Sequence, residues 1–310
     1  MLIYKSRFLL RGEVWYEHTP NSRSVDWILY RQRASPIPGT RWRYFHTLII
    51  DLGQTPEALL DQMNKSTASK VKRARDRDRI TCERINPDTA GIVRFVTVYN
   101  QFAATKGLDP LDRSELEGLA AECLLELSVA KNRAGEPLVF HTYYRDSNYS
   151  YFLYSASLHR TFSDSAVRNA IGRANVFLFW DSLLRHKVDG LKCFDFGGWY
   201  PGSTDQQLLG INRFKAGFGG KLICKYTCEQ ILSVKGWVLL TTARMLSRVR
   251  GSDSTPVNAE LANPVRPACQ DHAIRGAVRG SPSEELEIFT VSQSPVNHSA
   301  VQAPSGYDVG

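Results

Sequence analysis

Thirty-one of the thirty-three aromatic side chains fall within residues 1–250 of this 310-residue chain, and that asymmetry decides which part can build a core. Residues 251–310 keep only Phe289 and Tyr307 yet hold six of the fourteen prolines, too little large apolar surface to offset the entropy of ordering the chain. They are expected to form a mostly disordered tail. Charge divides at the same place: residues 1–250 carry 36 basic against 24 acidic side chains, a surplus of 12, and 251–310 carry 3 against 7. A basic body attracts phosphate-bearing partners, whether coenzymes, nucleotide-linked sugars, tRNA or anionic lipid, without choosing among them.

No run approaches the roughly 20 apolar residues that a spanning helix needs, and the opening MLIYKSRFLLRGE meets charge too early for a secretory signal. A cytoplasmic protein is expected. The six cysteines include no CxxC pair, and the seven histidines stand at no metal-ligand spacing from them, so neither a metal site nor a disulfide framework is expected.

EVWYEHT and VDWILYRQR read as strands separated by the turn-prone PNSRS, and RYFHTLIIDL as another of aromatic and β-branched type. Thr55 before Pro56 then opens a helix expected to run through TPEALLDQMNKSTASKVKRARDRD. Its end concentrates Lys65, Lys70, Lys72, Arg73, Arg75, Arg77 and Arg79. This is either a phosphate-binding face or simply a solvated one.

After the strand ITCERI come two helices, the first ending at Gly107, then LSVAKN, PLVFHTYYRD and NYSYFLYSAS as an antiparallel three-strand meander. Next follow a helix from NAIGRANVF to Gly190, the short strand KCFDFGG, a helix around LLGINRFKAGFGG and the strand KLICKYT. ILSVKGWVLLTTARMLSRVR (231–250) reads as a last, amphipathic helix with Val234, Trp237, Val238, Leu246 and Val249 on its apolar side. It either lies on a membrane surface or packs on the body with its cations in water.

The order helix, helix, meander, helix, strand, helix, strand resembles the GNAT acyltransferase fold. Asn169-Ala170-Ile171-Gly172-Arg173-Ala174 resembles its pyrophosphate loop, with Asn169 where the family pattern has Gln or Arg. Phe194-Asp195-Phe196-Gly197-Gly198, then Gly210, Phe214-Lys215 and Phe218-Gly219-Gly220, resembles the closing signature of the Fem-like branch, which includes the peptidoglycan bridge-forming aminoacyltransferases. The segment from IIDL to ITCERI is similar to that branch too. The resemblance spans roughly residues 45–230.

It implies an α/β protein of GNAT (acyl-CoA N-acyltransferase) fold, with a reduced N-terminal GNAT-like domain, 1–90, packed on a complete C-terminal one, 91–230, followed by the helix 231–250 and the tail 251–310. It also implies that Asn169, Gly172, Arg173 and Ala174 hold the phosphates of the donor, with main-chain amides at a helix start as the physical basis. Backbone groups from Tyr154 to Ser157 would polarise the acyl carbonyl. Asp195, before the glycine pair, is the candidate base or else an orienting cap, with His141 as the other candidate base. Trp199, Tyr200 and Lys215 would line the acceptor side.

The implied activity is transfer of an acyl group from an acyl-CoA thioester to an amine of a sugar, amino acid or cell-envelope precursor, with no permanently bound cofactor. Two alternatives stand beside it. One is an aminoacyl-tRNA donor, although the helical arm of tRNA-dependent bridge formers has no room in this chain. The other is a non-catalytic binding module whose altered loop has lost the coenzyme.

Overall fold

The computed structural model describes residues 1–6, 8–21, 24–157 and 162–250, without the side chains of 246–250. The expectations for the tail and for the Leu246 and Val249 side chains lie outside those residues. Ten strands, β1 (Leu2–Ser6), β2 (Leu9–Trp15), β3 (Trp27–Arg33), β4 (Arg41–Asp51), β5 (Thr81–Ile85), β6 (Leu125–Lys131), β7 (Pro137–Arg145), β8 (Tyr149–Ser157), β9 (Cys193–Gly198) and β10 (Lys221–Ile231), form one mixed sheet. Its order is β1-β2-β3-β10-β4-β9-β8-β7-β6-β5. The helices are α1 (Pro56–Asp61), α2 (Lys65–Asp76), α3 (Thr89–Lys106), α4 (Ser114–Ala121), α5 (Ser165–Val188), α6 (Gln206–Ala216) and α7 (Val234–Arg250). Among the described residues no helix is long and apolar enough to cross a membrane.

The expected antiparallel meander is present as β6, β7 and β8. The expected helix over 55–78 is two helices. Asn64 interrupts it by accepting the Thr67 N–H through its own side chain, which starts α2 with a fresh N-cap. β2 and β3 lie parallel, and β10, the last strand, inserts between β3 and β4.

Each face of the sheet buries its own core. On one side α1, α2, α5 and α6 cover Leu48, Ile50, Phe152, Phe194 and Phe196, with Phe179 of α5 in the middle of the rings. On the other, α3 and α4 cover Leu127, Phe140, Tyr144 and Tyr154 and reach as far as Leu2, Tyr4 and Trp15 of the N-terminal strands. The sheet therefore curls around α3 and α4. A buried ion pair ties β2 to β3: Arg31 of β3 donates twice to Glu13 of β2, at 2.9 and 3.0 Å. Burial raises the Glu13 carboxyl, but Arg11 and Arg31 overcome this and hold it at about 2.

Entry into β10 depends on a left-handed backbone at Gly220 (φ +94°), where a Cβ would stand 2.6 Å from the Ile49 carbonyl oxygen. Gly220→Ala is expected to destabilise the fold by about 2 kcal/mol or more through strain and that clash, read as a lowered midpoint in chemical denaturation.

Candidate active site

The site begins where a ladder stops. β8 and β9 pair in parallel only at Tyr149↔Cys193, Ser150↔Phe194 and Tyr151↔Asp195. From Phe152 and Phe196 onward the two strands have no register with each other, and the far edge of β9 stays bonded to β4. β8 also carries a bulge here, because Tyr143 pairs with Phe152 and Thr142 with Tyr154.

Asp195 occupies the last paired position. Phe194 and Phe196 point to the α5 side, so period-two alternation turns Asp195 to the other face. There it is fully buried. Its Oδ1 accepts the Thr47 hydroxyl from β4 and, at 2.7 Å, the Gly197 N–H. Its Oδ2 is buried with no hydrogen-bond partner. Burial pushes the carboxyl up to about 6 against the pull of Thr47, Gly197 and Lys215. Gly197 (φ +72°) is needed for this geometry: a Cβ there would lie 3.1 Å from the Tyr151 hydroxyl and 3.3 Å from the Phe152 carbonyl oxygen.

Lys215 is buried rather than a surface lysine. It donates to the Gly198 carbonyl at 2.5 Å, and burial lowers its ammonium to about 8, with Asp195 acting in the opposite sense. It closes the end of β9. Trp199 donates its backbone N–H to the His46 carbonyl and packs on the α5-side core. Tyr200 is held to α6 by two hydrogen bonds with Asn212. Asp195, Lys215, Trp199 and Tyr200 thus follow one another around the end of β9.

The expected phosphate loop is not a helix start. α5 begins at Ser165, capped by Asp164, whose side chain accepts the Ala166 N–H. The Arg168 N–H already bonds to the Asp164 carbonyl, so Asn169 to Ala174 lie in the helix interior with their amides inside its ladder. Asn169 and Gly172 are exposed, and a Cβ on Gly172 would meet nothing within 4 Å. Ala174 is buried. Arg173 is committed to Asp78 by a two-point pair, at 2.5 and 3.0 Å. A carboxylate at the cap opposes an anion there.

His141 is a core residue. It is fully buried on the α5 side, with Nδ1 at 2.8 Å from the Tyr143 hydroxyl and Nε2 at 2.7 Å from Asn175 Oδ1. Burial lowers it to about 3 and keeps it neutral. It lies on the opposite face of the sheet from Asp195 and cannot share a proton with it. The Tyr154 N–H is taken by the Thr142 hydroxyl at 3.1 Å, and its own hydroxyl donates to Glu115 at 2.9 Å. Its amide is therefore not the free polarising donor.

Three residues were missed in the sequence. Thr47 reads as one β-branched residue of a strand. Tyr151 reads as one of several strand tyrosines. Tyr16 follows β2 in a left-handed conformation (φ 50°) and stacks on Tyr149 with 3.9 Å between ring centroids. Its buried hydroxyl makes no hydrogen bond, and the Asp195 charge raises its pKa further beyond the effect of burial. A non-glycine αL residue is a marker of a special site, but it becomes visible only in coordinates. Among the described residues no three His, Cys, Asp or Glu side chains converge as a metal site would require.

No family model and no curated protein matches the chain by sequence. Among solved structures it is similar to FemX, at 17% identity and a TM-score of 0.49, over 63% of this chain and 63% of that one. The match thus spans less than two thirds of FemX. It is also similar to the C-terminal domain of a putative lysylphosphatidylglycerol synthetase from Agrobacterium fabrum (17% identity, TM-score 0.43, 71% and 72% covered). A third is N-myristoyltransferase of Saccharomyces cerevisiae with bound myristoyl-CoA (14% identity, TM-score 0.33, 66% and 50% covered).

Since the Asp195 carboxyl is raised from its usual 3.8 to about 6, the folded state binds the extra proton between those values and loses stability as pH rises through them, by about 3 kcal/mol in all. Asp195→Asn removes that loss. The variant is expected to gain on the wild type from pH 4 to 7 in denaturation midpoints, with parallel curves counting against a buried, raised carboxyl.

Proposed function

We propose that the protein transfers an acyl group from an activated carrier, a coenzyme A thioester, to the amine of a sugar, amino acid or cell-envelope precursor in the cytoplasm. The observation that carries this reading is the unpartnered Oδ2 of Asp195, buried where the β8–β9 ladder ends. A buried acceptor without a donor is costly unless a ligand supplies one, and an incoming amine does.

In this reading the acyl arm lies along the unpaired edge of β8, from Phe152 to Ser157. The amine nitrogen attacks the thioester carbonyl, forming the C–N bond and breaking the C–S bond. Asp195, ionised above pH 6, takes the amine proton and gives it to the departing thiolate, so the products are the amide and the free thiol. Residues 91–230 then carry the donor, while residues 1–90 supply the Thr47 hydroxyl to the carboxylate. Trp199 and Tyr200 border the acceptor, and Lys215 holds the β9 end in place. No permanently bound cofactor is required.

One observation favours a second donor, an aminoacyl-tRNA. Lys65, Lys70, Lys72, Arg73, Arg75, Arg77 and Arg79 are all exposed. Arg173 joins α5 to Asp78 beside them, and α2 packs along α5 through Ala74, Ile171 and Ala174. This cationic strip lies along the body of α5, and the start of that helix is capped by a carboxylate, an arrangement that suits a long polyanion better than one diphosphate.

A screen of acyl thioesters for free-thiol release tests the first reading. Turnover is expected to rise with pH through about 6, and Asp195→Asn to lower it by about 100-fold or more with an unchanged circular dichroism spectrum. Full activity in that variant removes Asp195 from the mechanism. For the second reading, tRNA binding is expected to weaken steeply with salt and to be lost when Lys72, Arg73 and Arg75 become glutamate.

A further inference from the structure

α7 is inside out. Its inward side is built from Gly236, where a Cβ would lie 2.7 Å from the Asp26 carbonyl oxygen, from Leu240, which packs on Leu9, Trp27 and Leu29, and from Arg244, which pairs with Glu229 at 2.5 Å. Its outward side carries the larger apolar residues. Val234, Val238 and Met245 fall on one stripe at helical spacing and are 80%, 46% and 60% exposed, flanked by Trp237 at 60%. Phe8, 74% exposed, precedes Leu9, which packs under the helix. A helix packed on its own domain turns such residues inward. This corrects the picture of a terminal helix with its apolar side on the body and its cations in water.

Charge identifies the occupant. From Val234 to Arg250 the sequence has Lys235, Arg244, Arg248 and Arg250 and no carboxylate, and residues 1–233 behind it carry 32 basic against 24 acidic side chains, a surplus of 8. Pairing with a second copy through this stripe would bring together two bodies of like net charge. We propose that α7 seats the protein on an anionic membrane surface, with Val234, Trp237, Val238 and Met245 entering the headgroup boundary and the positive surplus of the chain drawing it to lipid phosphates. Trp237, at the edge of the stripe, suits the interface between apolar and polar layers. This inference is independent of the role of Asp195.

The full chain is mixed with vesicles of phosphatidylcholine containing about 30% phosphatidylglycerol, and with phosphatidylcholine alone, and sedimented at low salt. Binding is expected with the anionic vesicles and to be about tenfold weaker with the neutral ones. Val238→Glu with Met245→Glu is expected to lose it at an unchanged melting temperature, whereas Val188→Glu, at an exposed position on α5, keeps it. Absence of sedimentation, or equal binding by the double variant, overturns the proposal. So does a concentration-dependent dimer, or protection of the chain's own residues 251–310 from protease, that the double variant abolishes without any lipid binding.

Discussion

Three parallel pairs between β8 and β9 hold the two halves of the molecule in register, and the site exists because there are only three. Had the ladder continued past Asp195, Gly197 would have been an ordinary strand residue and the β8 edge would have been consumed by hydrogen bonds. The strands are driven apart by local chemistry on both sides. β8 gains a residue at its bulge, and β9 turns through a left-handed glycine whose N–H folds back onto the Asp195 carboxylate. β4 supplies the other half of the grip through the Thr47 hydroxyl, which reaches both Asp195 and the Gly197 carbonyl. The carboxylate is thus oriented by both halves of the chain.

Buried charge is handled differently on the two sides of that carboxylate. Glu13 is equally buried but compensated, with Arg31 holding it through two hydrogen bonds and Tyr4 donating a third at 2.7 Å. Asp195 receives only neutral donors, on one oxygen, and Lys215, a cation that acts on it, is spent on a carbonyl. Desolvation therefore wins at Asp195 and loses at Glu13. The first arrangement suits a strut, the second a proton acceptor.

Much of the architecture was legible in the residues. Hydrophobic alternation and turn chemistry located the meander, the strand Cys193–Gly198 and the paired glycines that end it. Local signals failed where a nearby cap competed with them. Asn64 split one helix into two, and Asp164 started α5 ahead of the segment whose glycine suggested a helix start. Asp195 stood out because it is the one carboxylate in the strand Cys193–Gly198, just before the paired glycines that end it. Thr47 did not, since it reaches Asp195 over a separation of more than a hundred residues that no spacing rule encodes. The Asn175 side chain that claims Nε2 of His141 likewise comes from α5, packed on β7.

The insertion of β10 between β3 and β4 has a consequence for how the chain is made. Until residues 221–231 have left the ribosome, β3 and β4 each present an open edge and the first hundred residues cannot complete their sheet. The last strand acts as a keystone set after the arch around it is standing, so folding waits on contacts nearly two hundred residues apart in the chain. A nascent molecule of this kind spends most of its synthesis unfinished, and its early strands are exposed to mispairing for that whole interval.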